Sequence, residues 1–374
     1  MTYARARLWT GISGVGSLVL LASILLAIDQ PAAALAGAGG DPLADALALL
    51  PWIAAAVLVT APFDLVGGYL LPRRFGRSDA AVGTFLVRWM RGVAVVLVLA
   101  TLSAVLLLAA GRAAGLAGSL GVLALLAGLA LEFQGALGRT IGGLRRVERP
   151  ELAPVVGPRA EFVEASDLGY TGGFSGWGAR SVWPAAWADR LSSEQLALLV
   201  ERRRRILESG AWTRGRLGAI VWTVGGFALA AQLPGAGTDS PAALARTALG
   251  FTLWTFLGLL LLPALSRRAT RRADAAIATD EGRRRELLDA LQELDRLQDD
   301  EPERSPALES VFHPVTSVAN RAAALDAETA GGSTAWHLAR TALFLSHLGL
   351  SLLPRAVHCN AGRPELWVHL PADG

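Results

Sequence analysis

Six stretches of roughly twenty residues carry no charged side chain, and nothing else in this chain restricts its fold so strongly. They run over 8–28, 46–63, 92–111, 113–131, 217–238 and 247–266, and beyond the second the chain stays largely apolar to Pro72. A helix needs about 20 apolar residues to cross roughly 30 Å of bilayer hydrocarbon, so each stretch can span. The composition agrees. Of 374 residues 52% are hydrophobic and 18% charged, and the mean hydropathy of +0.41 is too high for a water-soluble domain. The reading is a mainly α membrane protein with about six transmembrane helices.

Arginine placement sets the expected orientation. All 35 cationic side chains are arginine. Arg5 and Arg7, the group from Arg73 to Arg91, the Arg-rich segment 139–216 and everything from Arg267 onward share one side if six helices span. The loops 29–45 and 234–245, on the other side, carry no arginine. Positive charge is retained on the cytoplasmic side, so both termini and both polar segments are expected to be cytoplasmic. The Arg, Ala, Gly and Leu bias points to a GC-rich bacterial genome, hence to a bacterial inner membrane. A sequence pI near 9.7 could suggest nucleic acid. Because the arginines flank apolar runs, anionic lipid headgroups are the expected partner instead, and no nucleic acid. A single cysteine, Cys359, excludes an intrachain disulfide. The first apolar run follows Arg5 and Arg7 as a secretory signal would, but its 21 residues and the spans after it favour a retained anchor.

The expected organisation is four membrane helices in 1–138, a cytoplasmic part in 139–212, a membrane hairpin in 213–266, a second cytoplasmic part in 267–332 and a C-terminal extension in 333–374. The two cytoplasmic parts are expected to pack together. Ser192 and Gln195 have capping-box spacing before a helix that Gly210 ends. Helices are expected over 267–277 and 280–298, with an acidic, Pro-containing loop at 299–306. The apolar stretch 341–354 is too short to span and reads as a buried or interfacial helix.

Three motifs then occur in order. The helix Leu191-Ser192-Ser193-Glu194-Gln195-Leu196-Ala197-Leu198-Leu199-Val200 is followed, after the hairpin, by Arg272-Ala273-Asp274-Ala275-Ala276 and then by His313-Pro314 with Arg321 and Leu325. Upstream, Pro62-Phe63 precede Tyr69, Arg74, Phe75 and Gly76. Together these resemble the HtpX and CAAX-prenyl-protease group of membrane zinc metallopeptidases, over about residues 55–328. The resemblance implies a cytoplasmic α+β metallopeptidase-like domain carried on membrane helices.

In active members of that group two histidines one helical turn apart bind zinc, a glutamate beside the first activates water, and a later helix supplies a third ligand. Residues i and i+4 share a helix face, which lets two imidazoles reach one metal. The corresponding positions here are Arg202, Arg203 and Ile206, with the third ligand at Thr270. A guanidinium has no lone pair to give a metal and cannot serve as a general base, and isoleucine has no donor atom. The ordinary zinc chemistry is therefore expected to be lost, with no metal and no cofactor.

By the same resemblance Asp274 supports the metal-bearing helix and His313 the transition-state oxyanion, while Arg321 stands two residues later than the usual spacing. Read by themselves, Asp274 is a salt-bridge carboxylate and His313 a capping residue before proline. Loss of a dication would leave Asp274 uncompensated, and a guanidinium from Arg202 or Arg203 is expected to replace the charge. Gly172, Gly173 and Phe174 correspond by position to the edge strand on which members of the group lay out substrate, and main-chain pairing needs no metal. The remaining candidates, His337, His347, His358, Cys359 and His369, match no compact zinc spacing. Asp64 is an ionisable residue within an apolar segment, and an interhelical hydrogen bond is its simpler explanation against a transport role.

Three functions are compatible with these features. The first is a catalytically inactive pseudopeptidase that binds or regulates a peptide or membrane-protein client. The second is an active zinc metalloendopeptidase with unrecognised ligands. The third is a transporter or membrane assembly factor.

Overall fold

The computed structural model describes residues 1–30, 32–158, 160–327 and 333–368. The chain begins with α1 (Tyr3–Ala27) and α2 (Pro42–Leu65). Asp41 starts α2 by accepting from the N–H groups of Leu43 and Ala44 at 2.9 and 3.0 Å, which satisfies donors that the first turn leaves unpaired.

α3 (Val82–Glu132) has 51 residues, and a straight helix of that length would reach about 76 Å. It folds back instead. Ala114 lies at φ −140°, ψ 20° and Gly115 at φ 62°, ψ −161°, outside the helical region. Ser119 then donates to the carbonyl of Leu107 at 2.9 Å, a group about 18 Å away on an unbroken helix. The break falls at the start of the second of the two apolar runs that the sequence places almost head to tail.

Among the described residues four helical segments are long and apolar enough to cross a bilayer: Tyr3–Ala27, Pro42–Arg74, Val82–Glu132 and Pro241–Ala275. Less than half of each apolar window is buried inside the protein, and Leu20, Leu58, Val98 and Leu261 point outward. Lipid has to cover that surface. The chain is an integral membrane protein.

The elements of the two polar segments form a small sheet with helices packed on it. Its strands are β1 (Arg145–Val147), β2 (Ala160–Glu164), β3 (Gly173–Ser175) and β4 (Arg180–Pro184), in the order β1-β2-β4-β3. β2 and β4 are parallel and the outer pairings antiparallel, so β3 is an edge strand. α4 (Ser193–Glu208) follows, begun by the capping box: Gln195 N donates to Ser192 Oγ at 3.2 Å and Ser192 N to Gln195 Oε1 at 2.9 Å. Gly210, at φ 68°, turns the chain into α5 (Ala211–Ala230).

α5 and α6 (Pro241–Leu261) pair through Trp222 and Trp254, whose rings stack at 4.4 Å. α5 is not among the four spanning segments, because Arg214 and Arg216 in its first turns dilute its apolarity. α7 (Pro263–Ala275), α8 (Glu281–Gln298), α9 (Pro306–Phe312) and α10 (Val318–Asp326) complete the polar part. Phe162, Trp183, Trp187 and Leu199 share one apolar cluster with Ile277, Leu287, Leu291 and Leu294. Residues on both sides of the α5–α6 pair therefore build a single core.

Residues 333–368 run through the interior. All eight residues of α11 (Leu338–Leu345) are buried, as are Arg355, Arg363 and Trp367 further on. The chain passes so close to α1 and to the segment after α2 that only glycine fits: a Cβ on Gly11 would lie 2.4 Å from His358 N, and one on Gly68 2.1 Å from Gly362 O. Asp64 ties this segment down. Its carboxylate accepts from Trp89 Nε1 on α3 at 2.9 Å and from Gly362 N at 2.6 Å, and it pairs with Arg355. It makes the interhelical bond expected of it and anchors the C-terminal segment as well.

Candidate active site

Successive residues of a helix point about 100° apart, and this separates the two arginines at the centre of α4. Arg202 turns toward α7 and α10. Its Nε donates to Asp274 Oδ1 at 2.7 Å. Arg321 grips the same carboxylate from the other side, Nε to Oδ2 at 2.7 Å and Nη2 to Oδ1 at 2.8 Å. Arg202, Asp274 and Arg321 are 0%, 1% and 3% exposed, so two guanidinium groups share one carboxylate out of water. Such charge-assisted bonds are short and strong. Trp336, from the C-terminal segment, lies across Arg202 with its ring centre 5.1 Å from Cζ, within range of a cation–π contact.

Arg203 goes to the sheet. It donates to Ser181 Oγ at 2.7 Å, Val182 O at 3.0 Å and Thr171 O at 3.3 Å, and stacks over the Trp183 ring at 3.4 Å. It fastens α4 to β4. Arg204 and Arg205 are exposed. Glu201, beside Arg202 on α4, pairs with Arg283 at 2.5 Å, and Glu286 is exposed.

The other zinc-ligand positions are equally unsuited to a metal. Ile206 is packed with Phe174, Trp212, Ala269, Ala273 and Trp336. Thr270 is buried, and its hydroxyl donates to Ser266 O at 3.3 Å. Among the described residues no three His, Cys, Asp or Glu side chains come together in a way that could hold a metal ion. A cationic guanidinium, an alkyl group and a committed hydroxyl do not fit the zinc that the resemblance implies.

The strand expected to receive substrate needs a correction. β3 is at the edge of the sheet, but Gly172, Gly173 and Phe174 are all buried. Phe174 packs on Trp212 with ring centres 5.1 Å apart. The following turn is pinned by Trp177 N donating to Glu132 Oε2 at 2.7 Å and by Arg216 Nη1 donating to Gly176 O at 2.6 Å. The end of α3 and the start of α5 therefore cover the edge, because the same Gly-rich turn that shapes it also binds the membrane helices.

His313 caps α9, its N–H donating to Glu309 O at 3.1 Å. Its ring meets that of His358 at 5.1 Å, nearly edge-on. Burial, with nearby Arg304 adding repulsion, pushes its pKa down to about 4. Arg321 and His313 line one cavity, so the structure brings Asp274, Arg321 and His313 into one neighbourhood. His337 is buried beside Trp336 and His347 lies near Phe344, whereas His369 is outside the described residues. Three participants had no sequence signal: Arg321 as a second donor to Asp274, Trp336 as the cover, and Arg340 in the same cavity.

No protein-family model matches the sequence, and comparison with curated proteins finds no significant match. Comparison with solved structures does. The crystal structure of S. mikatae Ste24p superposes with a TM-score of 0.59 at 16% identity, covering 81% of each chain. The chain has the Ste24p fold. Ste24p is a CAAX prenyl protease of the zinc metalloprotease family, which supports the membrane metallopeptidase architecture read from the three motifs. At this identity the likeness concerns the fold.

Proposed function

We propose that this protein is a pseudopeptidase: a membrane-embedded metallopeptidase fold without zinc chemistry, kept as a binding or regulatory module for a peptide or membrane-protein client. The observation that carries this reading is the guanidinium of Arg202 on Asp274, buried beneath Trp336, at the position where the resemblance puts a zinc ligand. A dication cannot share that space with Arg202 and Arg321, whose charges already saturate the carboxylate. Without a metal or a general base at Arg203, no group in the site activates water. Strand addition at β3 would further require Trp177 to leave Glu132.

The topology belongs to the same reading. The fold-back of α3 supplies two passes and α5 a sixth, with both termini and the sheet on the cytoplasmic face of a bacterial inner membrane. The arginine asymmetry across the loops supports this orientation.

Elemental analysis of purified protein is the direct test, run beside a peptidase assay on a general protein substrate. Far less than one zinc per chain and no cleavage are expected. Close to one zinc per chain, lost on Thr270→Ala, would restore the active-peptidase reading.

A further inference from the structure

A cavity of about 80 Å³ lies between the start of α1, the end of α8, the 313–317 turn and the C-terminal segment. It holds more than the roughly 10–15 Å³ that one water needs. Five arginines and two aspartates line it, drawn from separate parts of the chain.

Most of that charge is spoken for. Asp299 accepts from Arg7 at 2.7 Å and from Arg304 at 3.0 Å. Arg321 is turned to Asp274 and Arg363 to Asp167. Arg340 is different. It is 9% exposed, and among the described residues no carboxylate pairs with it. Among those residues its one hydrogen bond goes to the side-chain oxygen of Asn360, at 3.4 Å. A buried guanidinium without a counter-ion is costly.

Among the described residues Arg7 Nε, Arg304 Nε and the acceptor Asp295 Oδ2 on this wall lack hydrogen-bond partners, and so do two uncharged groups, Thr316 Oγ1 and His313 Nε2. Both can donate to an oxygen, the hydroxyl by rotating and the neutral imidazole through its Nε2–H tautomer. The site is wrong for a cation despite His313, His358 and Cys359, because Arg7, Arg304 and Arg340 would repel one. Asp295 also lines the wall, and its charge is offset by Arg304, 3.8 Å away.

We infer that this cavity binds a phosphate group, with Arg340 as its counter-ion and Thr316 and His313 as hydrogen-bond donors. A guanidinium matches phosphate geometrically, with two parallel N–H donors meeting two oxygens. Arg7 stands at the start of the first apolar helix, so the cavity opens near the depth of lipid headgroups. A phospholipid headgroup and a soluble phosphate are the two sources of this chemistry. The inference does not depend on the pseudopeptidase reading.

The test uses the full chain in phosphate-free detergent, with inorganic phosphate titrated against potassium chloride of equal ionic strength. Phosphate at a hundred times Kd should raise Tm by about 3 °C, from the linkage of binding to unfolding and the length of the chain. Chloride should not. Arg340→Gln should weaken the response at least tenfold, Thr316→Val should weaken it less, and Arg340→Lys should keep most of it. A parallel arm compares nanodiscs of phosphatidylcholine with and without phosphatidic acid. Stabilisation by phosphatidic acid that blocks the response to phosphate identifies a lipid headgroup, and a response to inorganic phosphate alone identifies a soluble one. No shift with either ligand, or a response unchanged in Arg340→Gln, overturns the inference. Should the variants fail to fold, phosphorus NMR on the wild type decides, because a phosphate signal that shows no protein-dependent broadening is an equally negative result.

Discussion

Replacing Asp274 with alanine strikes the centre of the charge arrangement. The substitution removes the hydrogen bonds that Arg202 and Arg321 donate to this carboxylate, and takes a shared counter-ion from two buried guanidinium groups. Breaking a buried pair from one side typically costs about 3–5 kcal/mol. For a chain of 374 residues, the usual unfolding entropy per residue converts this to a fall in Tm of roughly 4–6 °C. Tryptophan fluorescence in detergent micelles would report it, since Trp336 sits directly on Arg202. Hydrogen exchange should localise the loosening to α4 and α7. The triple variant Asp274→Leu, Arg202→Met, Arg321→Met removes all three charges together and should recover much of the loss, because an apolar replacement of a whole buried ion cluster is often close to neutral. A single variant within about 1 °C of wild type, or a triple variant no better than the single, would refute the reasoning.

Three other outcomes are expected. His313 has its pKa lowered to about 4 from an ordinary 6.5, so the unfolded chain binds its proton first and stability falls as pH drops from 6.5 to 4. The loss is about 3 kcal/mol at 1.36 kcal/mol per unit, and the difference between wild-type and His313→Gln stability profiles isolates it from the opposing effect of Asp295. Gly115→Ala forces a side chain into the φ 62°, ψ −161° bend of α3 and should destabilise by about 1–3 kcal/mol in thermal unfolding, whereas Gly121→Ala, in the helical second arm with open space around it, should not. Reporters inserted near Gly157 and fused after Gly374 should read cytoplasmic and one at Gly237 extracytoplasmic, and an extracytoplasmic signal at Gly157 would overturn the six-pass topology.

The sequence by itself determined what is local. Apolar runs of span length, the Ser192–Gln195 capping box, the Gly210 stop and the residue types at Arg202, Arg203, Ile206 and Thr270 all follow from neighbours a few positions apart. That the side chains at these four positions make a poor zinc-ligand set was legible for the same reason, because a donor atom is present in a side chain or it is not. The three motifs also carried the architecture, although each is degraded. What the tertiary structure alone decided involves residues far apart in the chain. Spacing shows that Arg202 and Arg203 point different ways, but not which of them faces Asp274, since that depends on how α4 lies against α7. Arg321 reaches Asp274 across 47 residues and Trp336 reaches Arg202 across 134, and no periodicity records such a meeting. Burial of β3 likewise depends on α3 and α5 closing over it. The short apolar stretch of the C-terminal segment read as a buried or interfacial helix, but where the segment as a whole would lie was open, because a segment's own composition does not say which cavity its partners leave open.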